Sequence, residues 1–116
     1  MAGTPVKAGP AYVTTGSVNQ FTVAAGTYVL VRHIHITNTS GSTRTYTAYL
    51  GASGAAAAGT EIVRTRTLSA NGTSGDTLDV YFPQGLRMAT TDFITATAGT
   101  DSTSLVSIIT YEAYAV

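Results

Sequence analysis

A chain of 116 residues with six Lys+Arg against six Asp+Glu carries no net charge, and only 10% of its residues are charged. That balance excludes the basic surface with which a nucleic-acid binder displaces counterions, and a 44% hydrophobic content excludes disorder. Cysteine is absent, which removes disulfides, thiolate zinc sites and thiol nucleophiles.

Small residues dominate, with 22 Thr, 17 Ala, 12 Gly and 9 Ser, and there are seven Tyr but only one lysine, Lys7. Threonine, valine and tyrosine favour strands, while the usual helix formers are scarce. The expectation is an all-β chain. No stretch approaches the length of an apolar membrane span, and Met1–Ala11 lacks the apolar segment of a signal peptide. Synthesis in a cytoplasm, with no membrane and no nucleic acid as partner, is therefore expected.

Residues 1–11 hold two of the three prolines and show no alternation, so they read as an extended arm, with the folded domain over 12–116. Pro5 and Pro10 bias their predecessors away from helix. Such an arm reaches about 30 Å and is a candidate for docking on a neighbour, with removal of residues 2–10 expected to leave the domain folded.

From Tyr12 onward the hydrophobic period is two. Val18–Val23 reads as a strand. Thr27–Asn38 is the strongest one, with Tyr28, Leu30, Arg32, Ile34 and Ile36 on one face and Val29, Val31, His33, His35 and Thr37 on the other. Thr43–Leu50, after a Thr39–Ser42 turn, is expected to return as its hairpin partner. Gly51–Gly59 is a Gly/Ala-rich surface loop. Thr60–Leu68 is a strand that places Arg64 and Arg66 on a face with Ile62 and Leu68. A loop with an Asn71-Gly72 turn follows. Asp76–Phe82 points Leu78, Val80 and Phe82 inward; Pro83-Gln84-Gly85 breaks it before a short Leu86–Met88 segment. Asp92–Ala98 and Leu105–Tyr114 complete the chain. About eight strands with turns every 8–12 residues predict a single antiparallel β-sandwich, jelly-roll-like, with a core of Val, Ile, Leu and Tyr.

The chemical inventory is thin. His33 and His35, two apart on a strand, share a face, and Gly26 precedes them as in the opening of the cupin motif. The cupin glutamate positions are Thr39 and Ser40 here, no third histidine exists, and no acid stands at a suggestive spacing. No metal site and no cofactor are expected. There is no G-x-S-x-G elbow and no phosphate-binding loop. The aspartates fall in or beside loops, where they make turns more often than chemistry. No catalytic residues are assigned.

The stretch Gly26–Gly51, GTYVLVRHIHITNTSGSTRTYTAYLG, resembles the small β-sandwich structural proteins of tailed bacteriophage particles. The likeness runs from Ser17 to Ala115 as a pattern of strand and turn residues, with Thr91-Asp92 where Gly-Asp is usual. It implies a non-enzymatic virion protein at the particle surface: a capsid decoration protein bound to the major capsid protein, or alternatively a minor tail or neck component. A carbohydrate- or host-binding module is the alternative of another class, since the tyrosines could line a sugar-binding face. Interface candidates are Pro5, Lys7 and Pro10 in the arm, the tyrosines Tyr28 and Tyr114 on strands with two apolar faces, and Arg64 and Arg66 for intersubunit ion pairs. Those two-faced strands predict a homo-oligomer, with a trimer as first choice.

Overall fold

A computed structural model describes residues 4–15, 18–51, 60–90, 92–99 and 102–115. The eight strands are β1 (Thr4–Val13), β2 (Val18–Thr22), β3 (Thr27–Asn38), β4 (Arg44–Gly51), β5 (Glu61–Leu68), β6 (Thr77–Met88), β7 (Phe93–Ala98) and β8 (Leu105–Ala115). They form two antiparallel four-stranded sheets, β1-β8-β3-β6 and β2-β7-β4-β5. The pairings nest: β4 with β5, β3 with β6, β2 with β7, β1 with β8. One long ribbon folded over on itself is the jelly roll. The loop expected at 51–59 falls, after Gly51, outside the described residues. No helix long and apolar enough to cross a membrane occurs among the described residues.

The core lies between the sheets. Val13, Val29, Val31, Ile34, Ile36, Tyr46, Leu68, Met88, Ile94, Leu105 and Ile109 are its large fully buried members. Met88, and alanines such as Ala48 and Ala96, add to the Val, Ile, Leu and Tyr that composition suggested.

Three expectations are corrected. First, the segment read as an arm is β1 from Thr4 onward, paired with β8 from Thr4↔Ala113 to Val13↔Leu105. Its prolines hid it: a proline cannot donate to a ladder and is tolerated on an edge strand or at a bulge, and the register shifts between Ala8 and Ala11, where Gly9 and Pro10 sit. Second, 27–38 and 43–50 are not a hairpin. β3 pairs with β6 and β8, and β4 with β5 and β7. Asn38 sends the chain to the other sheet. Fully buried, it donates from Nδ2 to the carbonyls of Ser42 (2.8 Å) and Ser69 (2.9 Å) and accepts at Oδ1 from the Ser40 amide (3.0 Å) and hydroxyl (3.0 Å). That clasp satisfies the crossover, which a tight hairpin would have satisfied by ladder bonds. Third, Leu86–Met88 is not a separate strand. β6 runs through Pro83-Gln84-Gly85, and Gly85 takes the left-handed conformation (φ +82°) that the excursion requires.

Candidate functional site

The site depends on a β-bulge. On β3 the register shifts between Val31 and His33 against both neighbours. Toward β8, Val31 and His33 face the consecutive residues Tyr111 and Thr110, so Arg32 is the extra residue. Toward β6, Arg32 stands opposite the excursion Phe82–Gly85, between Leu86 and Tyr81. Because side-chain direction alternates, one extra residue exchanges the faces beyond it. The buried set is therefore Val29, Val31, Ile34, Ile36 and Asn38, not either of the unbroken alternations read from the sequence. Val29 and Val31 point into the core, and so do Ile34 and Ile36. Tyr28, Leu30, Arg32, His33, His35 and Thr37 lie together on the outer face of the β1-β8-β3-β6 sheet.

Along β3 this face carries two contiguous groups. In the first, Tyr28 and Tyr114 stack with centroids 5.0 Å apart and planes 11° off parallel, and the Arg87 guanidinium sits 4.0 Å over the Tyr28 ring. The Tyr114 hydroxyl donates to Glu112 Oε1 at 2.8 Å. The same oxygen receives Arg32 Nη2 at 3.1 Å, while Arg32 Nη1 donates to the Pro83 carbonyl at 3.3 Å. Arg32, then Tyr114, hold the Glu112 carboxyl below the usual carboxylate range.

In the second group, His33 Nε2 lies 2.8 Å and His35 Nδ1 2.6 Å from one oxygen, Oδ1, of Asp79. Asp79 is the cross-strand partner of His35, and Tyr81 of His33. The Tyr81 ring stacks on His33 at 4.4 Å. Thr37 Oγ1 is 3.1 Å from His35 Nε2. The hydrogen bonds from His35 and then His33 hold the Asp79 carboxyl below its usual range. The side chains of His33, His35 and Asp79 keep 24%, 33% and 38% of their surface, so the cluster opens to solvent.

The sequence placed no acid near the histidines; the fold places Asp79 there, from a strand more than forty residues on. Asp76 and Asp92 behave as expected, each accepting from a turn amide, of Gly72 and Ala89 respectively, at 2.9 Å; Asp101 lies outside the described residues. Asp79, His35 and Thr37 stand in the order of an acid–base–nucleophile line. Thr37 is nevertheless next to the end of β3, paired with Thr77 and Val106, and the amides that follow it, of Asn38 and Thr39, are committed to the Asp76 and Ser104 carbonyls instead of converging as an oxyanion hole.

The interface candidates divide. Tyr28 and Tyr114 are stacked on the outer face just described. Lys7 is exposed opposite Thr110, and Pro10 lines a shallow depression with Ala11, Tyr12 and Val106. The backbone of Pro5 pairs with Glu112. Arg64 and Arg66 are elsewhere, exposed on β5 at the edge of the other sheet. They do not share a face with two buried neighbours: Val63 and Leu68 are the buried residues of β5. Thr65 has φ +25° and the register against β4 shifts there. Arg64 reaches Glu61 on its own strand at 3.6 Å, with 77% of its side chain exposed.

No protein family matches the chain, and no curated protein matches it. Solved structures do. The Drosophila NLP core, a pentamer-forming, histone-binding protein, is 13% identical, with a TM-score of 0.45 over 98% of this chain and 99% of that one. A chain of infectious bursal disease virus, Gt strain, is 14% identical, with a TM-score of 0.31 over 96% of this chain and 30% of that one. A subunit of the disulfide-linked pili of Bacillus endospore appendages is 12% identical, with a TM-score of 0.50 over 97% of this chain and 84% of that one. At that identity the likeness to the pilus subunit is one of fold.

Proposed function

We propose that the protein is a non-enzymatic structural subunit that attaches to a protein lattice through the outer face of the β1-β8-β3-β6 sheet. The observation that carries this reading is the make-up of that face. By register it presents four tyrosines, Tyr12, Tyr28, Tyr81 and Tyr114, and two arginines, Arg32 and Arg87. Tyrosine and arginine are the residues that concentrate binding energy at interfaces. Tyr81 and Tyr12 are 67% and 55% exposed, large for aromatic rings. Tyr28 is already stacked on Tyr114 and Tyr81 on His33, and the Arg32–Glu112 pair neutralises itself, so docking buries ordered groups at small entropic cost.

The resemblance to tailed-phage particle proteins supplies the kind of lattice: the major capsid protein at the outer surface of a head, with a tail or neck position as the alternative. Homo-oligomers, with a trimer as first choice, are part of the same proposal, since closed rotational symmetry is the default for identical chains that associate. The test is a binding titration of purified protein on capsids that lack it. Saturation at a fixed ratio to the capsid lattice, weakened at least about tenfold by Tyr81→Ala together with Arg87→Ala, is the expected result. Undiminished attachment of that double variant, or attachment abolished by Arg64→Ala with Arg66→Ala instead, moves the interface to the other sheet and refutes the assignment. Light scattering of the free protein reads the oligomer, and a sugar array tests the glycan alternative.

A further inference from the structure

We propose that His33, His35 and Asp79 bind one divalent transition-metal ion of the cobalt, nickel, copper or zinc class on the outer face of the sheet. The donors are two imidazole nitrogens and a carboxylate oxygen, the set that suits these ions rather than magnesium or calcium. They come from two adjacent, paired strands, and one ligand atom from each lies within 4.8 Å of the others. Both rings aim at the same carboxylate oxygen. That convergence on one point is what a shared ion needs.

The adjustment required is confined to the three side chains. With metal–ligand bonds near 2.0–2.1 Å, neighbouring donors stand about 2.9 Å apart in an octahedron and about 3.3 Å apart in a tetrahedron. The present separations from Asp79 Oδ1 are 2.8 and 2.6 Å. Opening them by about 0.1–0.7 Å is a swing of the Asp79 side chain, which is the most exposed of the three; the two imidazole nitrogens, within 4.8 Å of each other, draw together by small changes of the His33 and His35 side-chain torsions. The surroundings hold the rings in place. Tyr81 stacks on His33. When an ion displaces the proton that His35 Nδ1 shares with Asp79, His35 keeps a proton on Nε2 and donates it in a hydrogen bond to Thr37 Oγ1, 3.1 Å away, the supporting bond that metal-bound histidines commonly make. Among the described residues no lysine or arginine is paired with Asp79; its ion-pair partners are the two imidazoles. A cation there meets an uncompensated carboxylate. The open side of the cluster leaves the remaining positions to water.

This inference does not rest on the assembly reading: it concerns the free protein, and failure to bind capsids leaves it intact. The full-length, untagged protein, stripped with chelator, is titrated with Co²⁺ followed by its visible absorption and with Zn²⁺ by calorimetry at pH 7.5. The expected result is one ion per chain at micromolar concentration, with magnesium and calcium inert. Asp79→Asn and His35→Gln each weaken binding at least about tenfold. A readout on the unaltered protein is the ¹⁵N imidazole spectrum, in which Zn²⁺ is expected to shift His33 Nε2 and His35 Nδ1. No ion bound at millimolar metal, shifts confined to other residues, or affinity unchanged in folded Asp79→Asn overturns the proposal.

Discussion

Replacing Asn38 tests whether the crossover clasp holds the two sheets together. In Asn38→Ala the backbone bonds remain: the Asn38 amide still donates to Asp76 (2.8 Å), and Asn71 Nδ2 still donates to the Asn38 carbonyl (3.0 Å). What is lost is two good bonds donated by Nδ2 and two accepted by Oδ1, plus a longer donation to the Leu68 carbonyl at 3.4 Å. At about 1 kcal/mol each, the four good bonds sum to about 4 kcal/mol. Ser42 is exposed and its carbonyl rehydrates, whereas Leu68 is fully buried and its carbonyl less readily so. The expected loss is therefore about 3 kcal/mol, or roughly 12 °C in melting temperature for a domain of this size. Asn38→Asp keeps the shape but points an oxygen at three carbonyls, and is expected to be worse than alanine at neutral pH. Urea denaturation of both variants, followed by far-UV circular dichroism, reads the two values. A loss under about 1 kcal/mol for alanine, or an aspartate variant as stable as the alanine one, refutes the clasp.

Three further outcomes follow from single contacts. Gly85→Ala puts a Cβ 3.0 Å from Leu30 Cβ on a residue at φ +82°; a loss of at least about 1–2 kcal/mol is expected in the same assay, and a neutral result means the excursion relaxes freely. Tyr46→Phe removes a buried hydroxyl that makes no hydrogen bond among the described residues and whose ionisation burial pushes up; stability is expected to rise by about 1 kcal/mol, and a clear loss means the hydroxyl is satisfied. Arg32→Gln is expected to raise the Glu112 pKa toward the ordinary value, read by NMR titration of its carboxyl carbon. The depressed folded-state value means that the stabilisation is complete above the unfolded-state pKa and fades as pH falls through the folded one; a pKa unmoved by the substitution removes Arg32 as its main cause.

What could be read from the sequence was whatever depends on local alternation. Thr27–Asn38 stands in the structure with the bounds its alternation suggested, and Leu78, Val80 and Phe82 pack on the core as expected. The failures have one origin, which is that pairing and phase are not local. Pro5, Gly9 and Pro10 erase the alternation of β1, whose place at a sheet edge tolerates them. Asn38 reads as the ordinary last residue of its strand until its partners Leu68 and Ser69, some thirty residues away, are known. Asp79 becomes a neighbour of His35 only through the β3–β6 register. No spacing along the chain carries that information.

The bulge at Arg32 sharpens this argument into a further test. Removing Arg32 from the sequence gives Val29-Leu30-Val31-His33-Ile34-His35-Ile36, an unbroken alternation with every buried residue still facing inward. The shortened strand also meets β8 without a gap, because Val31 and His33 already face consecutive residues there. The core therefore does not need the bulge. What the extra residue provides is on the outside: a guanidinium 35% exposed that ties Glu112 of β8 to Pro83 of β6. Deletion of Arg32 is accordingly expected to retain cooperative urea unfolding. The loss of a solvent-screened ion pair costs little, and drawing Tyr81 and Leu86 together adds local strain in 82–85. The proposed attachment to a capsid through this face is expected to fall much further than stability does. Loss of the cooperative transition on deletion would show instead that the core, and not the outer surface, is what requires the bulge at Arg32.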